Sequence, residues 1–117
     1  MTKSRSNIIE GALQILNVVG VGQPVSAEDN AVVDIDAAAE YLASRRITDI
    51  VNQVQDGELD EQWFIPFCEF VAAKYGMRFG KSFAEMKTLE ASALEDLRDI
   101  EDRTRPVQHL KINWRNP

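Results

Sequence analysis

Apolar residues recur at helical spacing along most of the chain, which predicts a series of amphipathic helices. The first helix covers about residues 3–18 and ends at the glycines and proline of residues 20–24. The second begins at Ser26, whose hydroxyl can accept a hydrogen bond from a helix amide, and runs to about Arg46.

The middle of the chain has a less decisive pattern. Residues 47–54 fit a helical stripe, but their β-branched side chains fit a short strand equally well. A turn is predicted at Asp56 and Gly57, followed by a very apolar third helix over about residues 60–79. Because proline lacks an amide donor, we expect this helix either to begin near Ile65 or to kink at Pro66.

A fourth helix is predicted after Gly80, which suits the position just past the end of the third. Ser82 and Glu85 form a capping box at its start, and the helix continues to about Asp102. The predicted fold is therefore all-α, a bundle-like domain of four to five helices over residues 1–102. Its expected core contains Leu13, Leu16, Leu42, Trp63, Phe64, Phe67, Val71, Leu89 and Leu97.

Beyond Asp102 the pattern becomes that of an extended tail over residues 103–117. Pro106 disfavours helix in the residue before it. Leu110, Ile112 and Trp114 alternate with polar residues, which is the period of a strand. We expect this segment to pack on the body, on a neighbouring copy or on a partner.

Charge is divided unevenly along the chain. The 117 residues carry a net charge of −6. Residues 83–102 hold seven acids and two bases, whereas residues 103–117 hold four bases and no acid. An acidic body argues against a protein that wraps nucleic acid with its main surface. The basic tail suits docking onto an acidic surface or a second copy.

The chain offers few residues for catalysis or metal binding. Its one cysteine, Cys68, excludes an internal disulfide and a cysteine zinc site, and its one histidine, His109, excludes most catalytic triads. We expect Cys68 to be a small buried hydrophobe and His109 to be a contact or solvent residue. No enzyme activity, metal or cofactor is predicted. No apolar run suits a membrane span or a signal peptide, so we expect a soluble protein made in a reducing cytoplasm.

Three stretches of the sequence carry a resemblance to a known family. They are the run from Val18 to Asp29 after the amphipathic first helix, the run Trp63–Phe67 continuing through residues 72–80, and the capped acidic helix after it. Together they resemble the bacteriophage head–tail connector proteins, small helical adaptors that form a ring beneath the portal. The resemblance covers residues 7 to about 101 and lies in helix lengths, caps and glycines.

The resemblance implies a homo-oligomeric ring, usually of about twelve copies, seated on the portal protein of a packaged head. The chain would close the head, let DNA pass without specific binding and meet the next tail component, a stopper or nozzle. It would lie at the head–tail junction of the virion after assembly in the host cytoplasm. The residues of the portal-binding tail would be Arg103, Arg105, Leu110, Lys111, Ile112, Trp114 and Arg115. The candidate channel-lining acids are Asp34, Asp36, Glu95 and Asp99.

A second function class also accounts for an acidic helical body. In it the chain is a small partner-binding protein, such as an antitoxin-like inhibitor or a DNA mimic, and the tail docks on an enzyme. Mass in solution with imaging separates the two classes. Rings favour the connector, and a monomer bound to a toxin favours the inhibitor.

Overall fold

The computed structural model describes residues 2–104 and has the predicted all-α fold. Met1 and residues 105–117 lie outside the described part of the chain. Within that part there are six α-helices, because the predicted second helix is divided. The elements are β1 (Thr2–Lys3), α1 (Arg5–Ile15), α2 (Ala27–Val32), α3 (Ile35–Ser44), α4 (Asp49–Asp56), β2 (Leu59–Asp60), α5 (Glu61–Tyr75), a 3-10 helix (Gly76–Phe79) and α6 (Phe83–Thr104).

Helix α5 is the centre of the fold. It packs against α1, α3 and α6. Trp63, Phe67 and Phe70 are almost completely buried. Because a fully buried large apolar side chain contributes about 1.5–3 kcal/mol, these residues make α5 the main source of core stability.

The predicted start of this helix near residue 60 is confirmed, and of the two alternatives at Pro66 the one in which the helix begins near Ile65 is wrong. α5 begins at Glu61 and continues through Pro66. The missing proline amide removes one hydrogen bond to the carbonyl of Gln62. Trp63, which lies on the same turn, is 1% exposed. Its burial stabilises the helical conformation there despite the lost bond.

The predicted second helix is two helices, which corrects that prediction. α2 ends at Val32, and Val33 is extended with φ −94° and ψ 107°. The break brings Val33 into the core, where it is 5% exposed. Asp34 then caps α3 by accepting a hydrogen bond from the amide of Ala37 at 3.0 Å. The burial of Val33 and the cap from Asp34 therefore favour two helices over the single helix that the continuous apolar period predicts.

The ambiguous stretch at residues 47–54 is mostly helical. α4 buries Ile50 and Val54 and is followed by Gly57, whose φ of 73° lies in the left-handed region. Glycine adopts that conformation without a side-chain clash, so it ends the helix cleanly. The predicted turn at Asp56 and Gly57 is confirmed.

Helix α6 begins where the sequence predicts and ends later. Ser82 Oγ accepts a hydrogen bond from the amide of Glu85 at 3.1 Å, which confirms the predicted cap. The helix continues to Thr104 rather than ending at Asp102, so Arg103 belongs to the helical body. Proline restricts only the residue before it, which leaves Thr104 free to be helical. The other tail candidates, Arg105, Leu110, Lys111, Ile112, Trp114 and Arg115, lie outside the described residues.

A short strand pair, which the pattern did not predict, ties the start of the chain to α5. β1 and β2 are antiparallel, with Lys3 opposite Leu59. Ser4 then caps α1, since its Oγ accepts from the amide of Asn7 at 3.2 Å. The Asn7 side chain accepts in return from the amide of Ser4 at 3.0 Å. This reciprocal cap fixes the first turn of α1.

The predicted core is confirmed at most of its positions. Two of its members, Phe64 and Leu89, are half-buried and pack against the others. The fully buried members are Leu13, Leu16, Leu42, Trp63, Phe67, Val71 and Leu97. The apolar stripe of α6 therefore faces α5, as expected.

Leu97→Ala should lower the free energy of unfolding by about 2–5 kcal/mol, because the truncation leaves a cavity at a fully buried site. Leu89→Ala on the same helix is the matched control, and it should cost less because Leu89 is only half-buried. Chemical denaturation followed by circular dichroism measures both. Losses near zero in both variants would show that this stripe does not face the core.

Candidate interaction surfaces

Helices α5 and α6 are antiparallel and present a different surface at each end of the pair. Pro66, early in α5, shares a cleft with Asp99, late in α6. Lys74, late in α5, shares a second cleft with Lys87, early in α6. The first end is acidic and the second is basic, so the pair is electrically polar along its length.

The first surface is an acidic groove of about 600 Å³ between the start of α5 and the end of α6. Asp96, Asp99 and Asp102 line it, and all three are exposed. Their spacing of three residues places them on one face of the helix. The other lining residues are Gln62, Pro66, Ile100 and Arg103. The acidic groove thus combines an apolar wall with an excess of negative charge.

A further carboxylate adds to this negative potential. Burial raises the pKa of Glu69 above its ordinary value, and the nearby negative charge of Asp96 raises that pKa further. Like charges disfavour each other's ionised form at short range. A cationic group placed in the acidic groove would relieve this repulsion.

The second surface, the basic turn, is formed by residues 74–87 where α5 passes through the 3-10 helix into α6. Two large apolar side chains are exposed there, Met77 at 56% and Phe83 at 59%. They line one cleft of about 170 Å³. The bases of this segment are Lys74, Arg78, Lys81 and Lys87. Apolar side chains and positive charge therefore occur together at this end.

Two of these lysines are held over aromatic rings. Lys74 Nζ lies 3.9 Å from the ring centroid of Tyr41, and Lys87 Nζ lies 5.6 Å from that of Phe83. Such cation–π contacts contribute about 0.5–1 kcal/mol at exposed sites. They hold positive charge close to the exposed apolar side chains.

Two of the candidate channel-lining acids, Asp34 and Asp36, have local structural roles. Asp34 caps α3, and Asp36 accepts two hydrogen bonds from the guanidinium of Arg5 at 2.8 and 2.7 Å. Arg5 also donates to the carbonyl of Val54 at 3.0 Å. The hydrogen bond from Arg5 lowers the pKa of Asp36 below its ordinary value. Arg5, on α1, therefore joins α3 through Asp36 and α4 through Val54.

The other two candidate acids lie on α6. Glu95 and Asp99 are exposed, and Asp99 lines the acidic groove. Asp34 and Asp36 belong to the start of α3 instead. The lining of a channel depends on an assembly of several copies, so it stays a prediction for all four residues.

Sequence reasoning missed the role of Glu101. It is 3% exposed, and its Oε1 accepts hydrogen bonds from the amides of Thr48 at 2.8 Å and Asp49 at 3.4 Å. These are amides at the start of α4, which have no partner within that helix. A carboxylate also suits the positive end of the helix dipole. Glu101 therefore fixes the end of α6, and so the point from which residues 105–117 continue.

Cys68 is the small buried hydrophobe that the sequence predicts. It is 1% exposed, and its Sγ donates a hydrogen bond to the carbonyl of Ile8 at 3.7 Å. Burial, with a smaller effect from the negative charge of Glu69, raises the pKa of the Cys68 thiol to about 12. The thiolate that would act as a nucleophile is therefore scarce at neutral pH.

A shallow groove of about 330 Å³ lies above Cys68, between α1 and α5. Exposed Ile15 and Ile65 and half-buried Phe64 contribute its apolar wall, and Gly11 lets the two helices approach each other there. A Cβ at Gly11 would lie 2.8 Å from Cys68 Sγ. The glycine is therefore required by packing.

Two further features, a metal-binding cluster and a membrane-spanning helix, are absent from the described part of the chain. Within residues 2–104, no group of three or more His, Cys, Asp or Glu residues is placed to hold a metal ion. None of the helices over the same range is long and apolar enough to cross a membrane. His109 lies outside the described residues.

Comparison with known proteins found no matching family model, no matching curated protein and no matching solved structure.

The Arg5–Asp36 pair should stabilise the fold at neutral pH and lose that effect in acid. Because the pKa of Asp36 is below its ordinary 3.8 in the folded state, its contribution is present above that value and is lost as the pH falls through the folded-state pKa. Both side chains are 42% exposed, so the contribution is about 0.2–1 kcal/mol.

Urea denaturation of the wild type and Asp36→Asn at pH 7 and pH 3 measures this contribution. The difference between the two proteins should shrink in acid. Glu40→Gln, an exposed carboxylate on the same helix, is the control. A difference for Asp36→Asn that is the same at both pH values would contradict the assignment.

Proposed function

We propose that the protein is a structural subunit of a bacteriophage head–tail connector. Copies of it form a ring on the portal, close the packaged head and join it to the next tail component. The protein has no catalytic role in this proposal. Its body supplies a rigid, acidic wall, and its tail supplies attachment.

The observation that carries the proposal is the change in charge and in the spacing of apolar residues at the end of α6. Residues 83–102 are strongly acidic, and Glu101 fixes the end of this helix against α4. Residues 105–117 then hold three bases and no acid, with apolar residues at every second position from Leu110 to Trp114. A rigid body followed by a basic, alternating segment supports a protein that attaches through its tail.

The acidic body suits the passage of DNA. Exposed carboxylates such as Glu95 and Asp99 repel duplex phosphates, so DNA slides past without adhering. The Debye length of about 8 Å at physiological salt confines this repulsion to carboxylates close to the duplex. The proposal therefore requires an acidic face of the body at the wall of the channel.

The tail suits the addition of a strand to an exposed sheet edge of the portal. Main-chain pairing supplies affinity, and alternate side chains such as Ile112 and Trp114 enter pockets. Arg105, Lys111 and Arg115 steer the encounter. The cost of ordering the segment is offset by repetition around a ring, since each bound tail raises the effective concentration of the next.

Deletion of residues 105–117 should leave a folded body that no longer joins the portal, because the cut leaves α6 (Phe83–Thr104) intact. Trp114→Ala should weaken attachment more than Lys111→Ala, since desolvated aromatics dominate interfaces and rim charges mainly affect the rate of association. Co-purification with a portal protein encoded in the same genome measures attachment, and circular dichroism confirms folding.

Unchanged attachment after the deletion would contradict the assignment of residues 105–117 as the portal-binding segment. Failure of the intact chain to bind any portal, together with tight binding of one monomer to a toxin enzyme, would favour the acidic inhibitor instead. The two outcomes differ in the mass of the complex.

A further inference from the structure

We propose that the basic turn of one copy docks into the acidic groove of a second copy. The contact joins opposite ends of the α5–α6 pair, so it is head-to-tail. This inference rests on the proposed function for its biological meaning, since it names the surfaces by which subunits of the ring meet. The contact itself concerns only two copies of this chain.

The basic turn requires a partner because of its apolar residues. Met77 of the 3-10 helix and Phe83 of α6 are more than half exposed and line the same cleft. Exposed aromatic and methionine side chains are enriched at protein interfaces. Their neighbours Arg78 and Lys87 are exposed bases, and Lys87 Nζ also lies 3.8 Å from Oε1 of Glu90 in the same cleft. The partner is therefore expected to be both apolar and acidic.

The acidic groove has that chemistry. Half-buried Pro66 supplies apolar surface beside the 4% exposed Ile100, and Asp96, Asp99 and Asp102 supply negative charge. Its volume of about 600 Å³ lies in the range of sites that accept large side chains. The negative charge of Asp96 disfavours ionisation of Glu69, so the bases of the basic turn would relieve a repulsion already present in the single chain.

The placement of the two surfaces decides the kind of assembly. They lie at opposite ends of α6, which has 22 residues and a length of about 33 Å. A contact between two different patches is heterologous, and its repetition produces a ring when the rotation closes. Every copy carries one patch of each kind, so every copy can bind two neighbours.

The contact also accounts for both unpartnered surfaces at once. Residues 105–117 are basic as well, but their docking in the groove would leave Met77 and Phe83 uncovered. A second copy covers the apolar side chains and neutralises the carboxylates together. The second copy is therefore the better occupant.

Charge reversal on the full chain tests the contact, with sedimentation velocity as the measurement. The turn variant is Arg78→Glu/Lys87→Glu, and the groove variant is Asp96→Lys/Asp99→Lys. All four positions are exposed, so folding should be retained. Each variant alone should self-associate about tenfold or more weakly than the wild type. An equimolar mixture should regain wild-type association, because every contact then pairs opposite charges.

The matched control is Glu40→Lys/Asp56→Lys, which changes net charge as the groove variant does but at exposed positions on α3 and α4. It should associate like the wild type. Met77→Gln/Phe83→Gln should weaken association at low and high salt alike, because it removes apolar contact. Circular dichroism of each variant separates loss of association from loss of folding.

Several results would overturn the inference. They are a wild type that stays monomeric, an assembly that stops at two copies, or a mixture of reversed variants that does not recover. Loss of association on neutralising Arg105, Lys111 and Arg115 would assign the groove to the tail instead. Binding to the portal is a separate measurement, so a chain that self-associates without binding a portal fails the proposed function but not this inference.

Discussion

Helix α5 is enclosed by α1, α3 and α6, and this enclosure positions the other helices. α1 lies parallel to it, with Lys3 over Phe64 at one end and Leu16 near Gly76 at the other, and α6 lies antiparallel. A Cβ at Gly76, the residue after α5, would clash with Met86 Sδ of α6 and lie 3.1 Å from Leu16 Cδ2, so the three helices converge where only glycine fits without displacement. Because α5 is held in this way, its two ends, and the surfaces they form with α6, have fixed positions.

Local signals in the sequence were enough to predict much of this fold. Period and caps identified α1, α5 and α6, and Gly57 marked the end of α4, since each of these signals acts within a few residues. The break at Val33 was missed because helical periodicity continues across it, and only burial of that side chain in the finished core decides against one long helix. The identity of residues 47–54 was undecided for a similar reason, because the carboxylate of Glu101 that caps α4 lies more than fifty residues away along the chain.

The candidate surfaces were less predictable than the helices. Sequence reasoning selected Asp34 and Asp36 for a channel, but pairing with Arg5 and capping of α3 give them roles inside the body. The charges of α6 were visible in the sequence, whereas their meeting with Pro66 in a groove depends on antiparallel packing. Together, α5 and α6 form a helix pair with the acidic groove at one end and the basic turn at the other. In the proposed ring, identical copies of this body form the wall, and residues 105–117 attach it to the portal.

Imaging the full chain mixed with a portal protein encoded in the same genome tests the central claim most directly. We expect portals that carry a closed ring of this chain on one face. The control is the portal alone, whose same face should be bare. Portals that stay bare in the mixture, while the chain sediments as a monomer, would contradict the account.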